Sequence, residues 1–438
     1  MKSCLRNRGM RLHTLKPVAI LGKGVSGLAC ARLLEHLHIP YEIFDQGGPQ
    51  LPDNIQQFAL GIFSPGFPPC HPWLKSFYRA RILCVNELDF AATYLENPLI
   101  AVTGTNGKTS VTECLSQIFL QQGQAALAVG NNGNVLADVV LQGISRDTYL
   151  VCEVSSFQAW GLKYFSPLQV IWTNLSPDHL NYHRNFSHYL RSKAHLARLC
   201  LEGGGHVFLG PSLQNLLRIG LHHPRAHFMS TPAESDLRWV QQFPLNFSIG
   251  QVENFCILKY FCEFNKIPLR ILEHCLHRFK QPSHRLHKVR TVRRVEFWED
   301  SKATNLHALQ AALASFKDYP NVYWILGGQS KGECLDDYVK VFEKYSNVQT
   351  IYLIGETGPP LYTLFLKNTS IRAPCVLSDS LENVFKMLCI GDEKAAIVFS
   401  PGFASWDQFE NYAERGTYFE TLVAQISKSE NEMTPWQK

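Results

Sequence analysis

Two glycine-bearing loops, each lying between a short apolar run and a helical pattern, constrain this chain more than any other feature. The first is Gly22-Lys23-Gly24-Val25-Ser26-Gly27, after the run Val18–Leu21 and before an expected helix Leu28–Leu37. The second is Ala101-Val102-Thr103-Gly104-Thr105-Asn106-Gly107-Lys108-Thr109-Ser110. Glycines let a backbone approach a diphosphate closely, and the N–H groups that open a helix favour an anion there. Asp45 ends the next apolar run at about the spacing of a ribose-binding acid. A nicotinamide dinucleotide and the diphosphate of a UDP-sugar both satisfy that first loop, and a ligand-free tight turn is the bland alternative. The second loop lacks the first glycine of a full P-loop, Val102 standing in its place, but keeps Gly104, Gly107, Lys108 and Thr109. Its N–H groups would cradle phosphates, the lysine would reach the β- and γ-phosphates, and the threonine hydroxyl could ligate Mg²⁺. The order of the loops decides between readings, because an NAD enzyme has no need of an ATP loop after its dinucleotide domain.

Around these loops, short β-branched or aromatic runs alternate with longer helical patterns, the signature of α/β units with largely parallel sheets. The pattern restarts twice. Expected strands are Val18–Leu21, Tyr41–Phe44 and Ala59–Phe63 in a first, Rossmann-like block over residues 1–97. A central P-loop block, 98–281, holds Leu99–Val102, Ala126–Val129, Tyr149–Val154, Val170–Asn174 and Phe247–Gly250. A second Rossmann-like block, 282–438, holds Val295–Trp298, Val322–Leu326, Thr350–Ile354 and Ala396–Phe399. Pro98 and Pro282 punctuate the joins and are the expected hinges.

Composition narrows the partners. With 42 Lys+Arg against 37 Asp+Glu, the net charge of +5 suits an anionic small molecule and is too dispersed for nucleic acid. Thirteen cysteines without a C-x-x-C pair argue against a disulfide framework and for a reducing compartment. His274, Cys275 and His277, with His284 and His287 downstream, fit no tetrahedral Cys/His spacing, so helix packing is expected. The basic start MKSCLRNRGMRLHTLKPVAIL runs straight into the first glycine loop without the apolar stretch of a signal peptide, and residues to about Met10 read as a loose extension. No apolar run is long enough for a membrane span. A cytoplasmic protein, with no membrane partner, is expected.

The motif series resembles that of the Mur ligases, which build the peptide stem of bacterial peptidoglycan. Gly104–Thr109 resembles their ATP loop, and Glu153-Val154-Ser155-Ser156-Phe157-Gln158 their acidic-strand motif. Asn174-Leu175-Ser176-Pro177-Asp178-His179-Leu180 resembles their magnesium histidine motif, with Lys193 following at a suitable distance. His284-Arg285 and Asp300-Ser301-Lys302-Ala303-Thr304-Asn305 are similar to motifs of their C-terminal domain. Three further segments resemble the D-glutamate-adding branch. They are Ser64-Pro65-Gly66, Leu326–Lys331, and Ser400–Phe409 followed by Tyr412 and Arg415-Gly416.

The resemblance implies a monomeric ATP-dependent ligase of three domains, whose substrates are UDP-N-acetylmuramoyl-L-alanine and D-glutamate and whose cofactor is Mg²⁺, two ions being expected. It implies catalytic roles for Lys108, Glu153, His179 and Lys193, with Thr109, Glu153, His179 and a carbamylated Lys193 around the metal. The nucleotide would meet Gly104, Thr105, Asn106, Gly107, Lys108, Thr109, Ser110, Asn254, Arg285 and Asp300. The UDP-substrate would meet Gly24, Val25, Ser26, Asp45, Gln46, Ser64, Gly66 and Asn131, and D-glutamate would meet Thr304, Lys331, Ser405, Trp406 and Tyr412. Taken alone, Lys193, Arg285 and Lys331 read as surface cations, and a helix cap is the lesser alternative for His179. Glu153 differs, since a carboxylate on an apolar strand demands a partner.

Departures from the family pattern fall at the adenine side, where Gly250-Gln251-Val252-Glu253-Asn254 keeps only Asn254, and at His287, where a glutamate is usual. Gly402-Phe403 and Tyr412 also depart. Rivals are a folylpolyglutamate-type ligase, whose ATP loop would lie near its N-terminus, and a diaminopimelate- or lysine-adding ligase, whose Asp-Asn-Pro-Arg segment this chain lacks. A nucleotide-binding regulator would have no need of Glu153, His179 and Lys193 together.

Overall fold

The computed structural model describes residues 16–214, 221, 223–243, 249–279, 283–388 and 392–426. Pro282 and the first ten residues, assigned above to a hinge and an extension, lie outside them. The described residues build three sheets.

The first sheet contains β1 (Val18–Leu21), β2 (Tyr41–Phe44), β3 (Leu60–Phe63) and β4 (Cys84–Asn86), ordered β2-β1-β3-β4 and all parallel. β1 and β3 are buried throughout, which is why they read as continuous apolar runs and not as alternating ones. Consecutive strands lie on opposite sides of β1, so the crevice beyond the carboxyl ends of β1 and β3 is a topological switch point. The Gly22–Gly24 and Ser64–Gly66 loops both follow those ends.

The second sheet holds β5 (Leu99–Thr103), β6 (Ala126–Gly130), β7 (Tyr149–Glu153), β8 (Gln169–Trp172), β9 (His206–Leu209) and β10 (Ala226–Phe228). Its order is β10-β9-β8-β5-β7-β6, again parallel. β5 sits between β8 and β7, so its loop Gly104–Gly107 also opens at a switch point.

The third sheet holds β11 (His287–Val292), β12 (Val295–Glu299), β13 (Val322–Gly327), β14 (Val348–Ile354), β15 (Cys375–Leu377) and β16 (Ala395–Phe399). It is ordered β11-β12-β16-β13-β14-β15, with only β11 and β12 antiparallel. Trp324 and Leu326 enter one core cluster while Ile325 between them enters another, so both faces of this sheet are covered.

Two compact units result. One carries the first two sheets; the other carries the third sheet together with Ser176–Asn181. Within the first unit a single core runs from Val18 and Ile20 to Ala101 and Leu150. Buried polar groups reinforce it. Asp89 accepts from the backbone N–H groups of Lys163 (2.6 Å), Tyr164 (2.9 Å) and Phe165 (2.8 Å), and Glu87 from that of Ala137 (2.8 Å). Burial pushes these carboxyls up, to about 6 for Asp89 and about 7 for Glu87. Arg32 adds a two-pronged pair with Asp138 at 2.9 and 2.7 Å. The segment around Pro98 therefore joins two sheets that share one core.

Two local expectations change. Gly24 caps the first helix, which begins at Val25, three residues earlier than its apolar pattern suggests. Ile249 and Gly250 open a helix, Ile249–Phe264, where a strand was expected; Phe247 and Ser248 lie outside the described residues. β4, β10 and β15 have only three residues, too few for a period to show, and β11 is a half-buried edge rich in charge.

Candidate active site

In the first unit the loop after β5 is held open by its glycines and clamped from one side. Gly104 has φ 149°, and a Cβ there would lie 1.9 Å from the Thr173 hydroxyl; Gly107, with φ 84°, abuts the Asn254 side chain. Only glycine combines that backbone with that proximity. Asn174 grips the loop, its carbonyl accepting from the Thr105 N–H (3.1 Å) and its side-chain oxygen from the Asn106 N–H (2.9 Å). Gly107 caps the helix Lys108–Gln121, whose first turn carries Thr109 and the buried Ser110.

Two amines converge on this loop. Lys108 Nζ donates to the carbonyls of Gly104 (3.1 Å) and Thr105 (2.9 Å). Lys193 Nζ donates to the same Gly104 carbonyl at 2.6 Å. Lys193 is 1% exposed, on the helix Phe186–Glu202, and its Nζ stands 5.0 Å from the Tyr189 ring centroid, one helical turn away. The surface-lysine alternative is excluded. Tyr189 in turn pairs its hydroxyl with that of Thr105 at 2.9 Å.

Glu153 closes β7 and registers against Val102 of β5. It is 2% exposed. One carboxylate oxygen accepts from the Asn131 amide at 3.0 Å, and the other is buried without a hydrogen-bond partner. Asn131, expected on the UDP-substrate side, thus stands beside Glu153 and also donates its N–H to the Glu153 carbonyl (2.9 Å). A buried carboxylate oxygen lacking a donor fits a bound cation.

At the first switch point, Gly22 has φ 103°, and a Cβ would meet the Ser64 hydroxyl at 2.6 Å. Ser64 Oγ is itself buried without a partner. Gly27 packs the helix on β1, while Gly24 faces open space and Val25 is exposed, with Ser26 half-buried behind it. Asp45 is half-buried, Gly66 is exposed, and the Gln46 amide lies 3.4 Å from His71 Nε2. The ring cluster Phe67, His71 and Trp73 beside it was not foreseen, since nothing in its spacing distinguishes it from core.

In the second unit the centre is an ion pair that sequence reasoning missed. Asp178 Oδ1 meets Lys331 Nζ at 3.0 Å, and Oδ2 accepts from the Asn305 amide at 3.0 Å. Burial would raise the Asp178 carboxyl, but Lys331 and His179 outweigh it and hold it at about 2. Lys331 also donates to the Thr304 carbonyl (2.9 Å), which brings together two of the expected D-glutamate contacts. His179 adopts φ 54° and lies 3.7 Å from Asp178. Asp178 carried no signal beyond its place in a motif, because its partner is 153 residues away.

Ser405 is buried, while Trp406 and Tyr412 are exposed. Arg415 fixes that segment. It is 1% exposed and donates to the carbonyls of Ser301, Phe403 and Ala404 and to the Ser301 hydroxyl, at 2.9–3.1 Å. Burial brings it down to about 10. Asp300 uses its oxygens on the Leu286 N–H (3.0 Å) and the Ser400 hydroxyl (2.8 Å), with Arg285 contributing charge nearby; burial raises it to about 7.

Two family models match this chain: the Mur ligase middle domain over residues 102–241 and the Mur ligase glutamate ligase domain over 284–396. A UDP-N-acetylmuramoylalanine--D-glutamate ligase of Desulfovibrio desulfuricans is 30% identical, the match covering 96% of this chain and 99% of that protein. One of the same name from Caldicellulosiruptor saccharolyticus is 29% identical over 94% and 99% of the two chains. This chain belongs to the Mur ligase family. The crystal structure of the MurF ligase from Thermotoga maritima in complex with ADP shares the fold, with a TM-score of 0.59 at 13% identity, covering 94% of this chain and 95% of that one. The Mur ligase middle-domain match spans the loop, Glu153 and Lys193, and the glutamate ligase match spans Thr304 and Lys331 but ends before Ser405. As a Mur ligase this chain has free cysteines wherever they are described, and none of its described helices is long and apolar enough to cross a membrane.

Proposed function

We propose that this Mur ligase joins D-glutamate to UDP-N-acetylmuramoyl-L-alanine at the expense of ATP, through an acyl phosphate, releasing ADP and phosphate in the cytoplasmic phase of peptidoglycan synthesis. The observation that carries the reading is Lys193, buried against the carbonyl of Gly104 in a chain similar over nearly its whole length to ligases of that name. The division 1–97, 98–281 and 282–438 assigns the UDP-sugar, ATP and amino-acid functions to successive domains. The enzyme acts as a monomer.

Forming an amide from a carboxylate in water is uphill, and activating it means bringing two anions within bonding distance. Cations and positioning supply the catalysis. The N–H groups of Gly104–Ser110 receive phosphate oxygens, and Lys108 turns from its loop carbonyls to the β- and γ-phosphates. Thr109, Glu153 and His179 would hold Mg²⁺, Glu153 through the oxygen that lacks a donor. Mg²⁺, when bound, neutralises phosphate and carboxylate charge. Lys193 works as a carbamate: its amine, once deprotonated, adds CO₂ and releases a proton, which removes one of two like charges sharing the Gly104 carbonyl and would supply oxygens of the type Mg²⁺ prefers. Two ions would be the complement.

Asn254 contacts the adenine side, and Arg285 and Asp300 are further nucleotide-binding residues. Gly24, Val25, Ser26, Asp45, Gln46, Ser64, Gly66 and Asn131 recognise the UDP-substrate, Ser64 through its unpartnered hydroxyl. Lys331 and Thr304 take the carboxylate of D-glutamate nearer its amine; Ser405, Trp406 and Tyr412 take the distal one. ADP release is the test, measured with UDP-N-acetylmuramoyl-L-alanine and a panel of amino acids. D-Glutamate alone should support turnover. Equal turnover with L-alanine, L-lysine or diaminopimelate would reject the substrate assignment, and no ADP release with any of them would reject the ligase reading.

A further inference from the structure

A second cluster of metal-type donors lies in the third-sheet unit, in no role assigned above. His284 precedes β11, His287 begins it, and Glu299 ends β12, where the two strands pair His287 with Glu299. Glu420 comes from the helix Tyr412–Gln425. We propose that His284, Glu299 and Glu420 bind a divalent transition-metal ion of the Zn²⁺ class, with His287 positioning the two carboxylates.

Geometry is the first support. One donor atom from each of His284, Glu299 and Glu420 lies within 4.8 Å of the others. His284 Nδ1 stands 3.3 Å from Glu299 Oε2. Tetrahedral bonds of about 2.0–2.2 Å set ligand atoms roughly 3.3–3.6 Å apart, so that pair already has the separation of a ligand edge. His287 bridges the carboxylates, with Nδ1 3.4 Å from Glu299 Oε2 and Nε2 3.1 Å from Glu420 Oε1. Of the two contacts, the hydrogen bond to Glu420 is of the kind that orients a ligating carboxylate.

Incomplete satisfaction is the second support. Glu299 is fully buried, and both its Oε2 and His284 Nδ1 lack a hydrogen bond although they lie 3.3 Å apart. A simple histidine–glutamate bond would use those two atoms. The absence of one at 3.3 Å means that the two atoms are not aligned donor to acceptor, which leaves both buried atoms able to take a ligand. Burial raises the Glu299 carboxyl to about 8, so this pocket disfavours a bare negative charge and would gain from a cation. Gly416 permits the arrangement: a Cβ there would come within 2.2 Å of His284 Nδ1 and 2.5 Å of Glu299 Oε1. Gly416 lies one helical turn before Glu420, so the same helix face that must stay bare beside His284 presents the third ligand.

The donor chemistry selects the ion. One imidazole with two carboxylates suits Zn²⁺ or Mn²⁺ better than Mg²⁺, which prefers oxygen and retains its waters. Binding would tie the edge pair β11–β12 to the last helix, so its readout is stability and not turnover.

The test uses the full chain after chelator treatment. Zn²⁺ is titrated in competition with a chromophoric chelator, and melting is followed with and without Zn²⁺, Mn²⁺ or Mg²⁺. One zinc equivalent and a raised melting midpoint are expected, Mg²⁺ failing to compete. Glu420→Gln, at a partly exposed position, should weaken that equivalent ~10-fold or more while melting as the zinc-free wild type does. Glu153→Gln, which alters the proposed ATP-site metal, should keep it. No zinc equivalent in the wild type, undiminished affinity in Glu420→Gln, or loss in Glu153→Gln alone would each overturn the proposal.

Discussion

Replacing Lys331 by alanine separates two consequences of one ammonium. Its partner Asp178 is 5% exposed and Lys331 4% exposed, at 3.0 Å, so both charges are out of water. At an effective dielectric of 20, that separation corresponds to about 5–6 kcal/mol of attraction before desolvation is counted. Removing one partner leaves a buried carboxylate without its cation, which typically costs about 3–5 kcal/mol. At roughly 2–4 °C per kcal/mol, the variant should melt on the order of 10 °C below wild type. On the proposed reading it also loses a charge-assisted bond to D-glutamate. A loss of about 1.5–3 kcal/mol raises the D-glutamate KM about 10- to 100-fold with little change in the KM of ATP or the UDP-substrate. Melting followed by circular dichroism and ADP release with D-glutamate varied would measure the two effects. Asp178→Asn combined with Lys331→Met tests the coupling, because it removes both charges and should recover much of the stability but none of the D-glutamate affinity. A Lys331→Ala variant that melts like wild type would refute the ion-pair argument, and an unchanged D-glutamate KM would refute the binding assignment.

Lys108→Ala should fold normally and lose roughly 10²–10³ in turnover, the effect of one electrostatic contact to the transferring phosphoryl group; near-normal ADP release would reject the ATP-loop role. Lys193→Ala should be nearly inactive and recover part of its rate when acetate is added, because a small carboxylate restores an oxygen ligand; no rescue together with normal turnover would leave Lys193 a packing residue. Acid titration tests Asp178, whose carboxyl is held down from 3.8 to about 2. Its contribution of about 2 kcal/mol is fully present above the unfolded value and is lost as pH falls from about 4 to about 2. Unfolding measured over that range should be less steep in Asp178→Asn.

The fold was legible where strands are buried on both faces. VAIL, LGIF and LIAVT are apolar without interruption because helices cover both sides, and each precedes a loop at the carboxyl end of a parallel strand. β11 was not, because an edge strand bearing His287, Lys288 and Arg290 has the composition of a solvated loop and is fixed only by pairing with β12. The shared core across Pro98 was also invisible. Asp89 reads as a surface acid until the backbone N–H groups of Lys163, Tyr164 and Phe165 surround it, more than 70 residues on.

The same division runs through the site, and it follows from what a side chain must do. A loop that cradles phosphate has to be built from consecutive residues, so Gly104 to Ser110 announces itself locally. A partner that neutralises or orients another side chain is free to come from anywhere, so nothing local fixes its identity. Asp178 reaches Lys331, Arg415 reaches Ser301, and Lys193 reaches Gly104, across separations of 153, 114 and 89 residues. Lys193 was recoverable only through its family motif, because burial, which distinguishes it from an ordinary lysine, is a property of the packed helix and not of its sequence. Asp178 shows the limit of that route as well. The motif containing it drew attention to His179, the more conspicuous ligand type, while the buried carboxylate next to it carries the stronger electrostatic constraint. In a site assembled from distant segments, the residues that hold the ligand-binding groups are therefore the last to be found from sequence and among the costliest to remove.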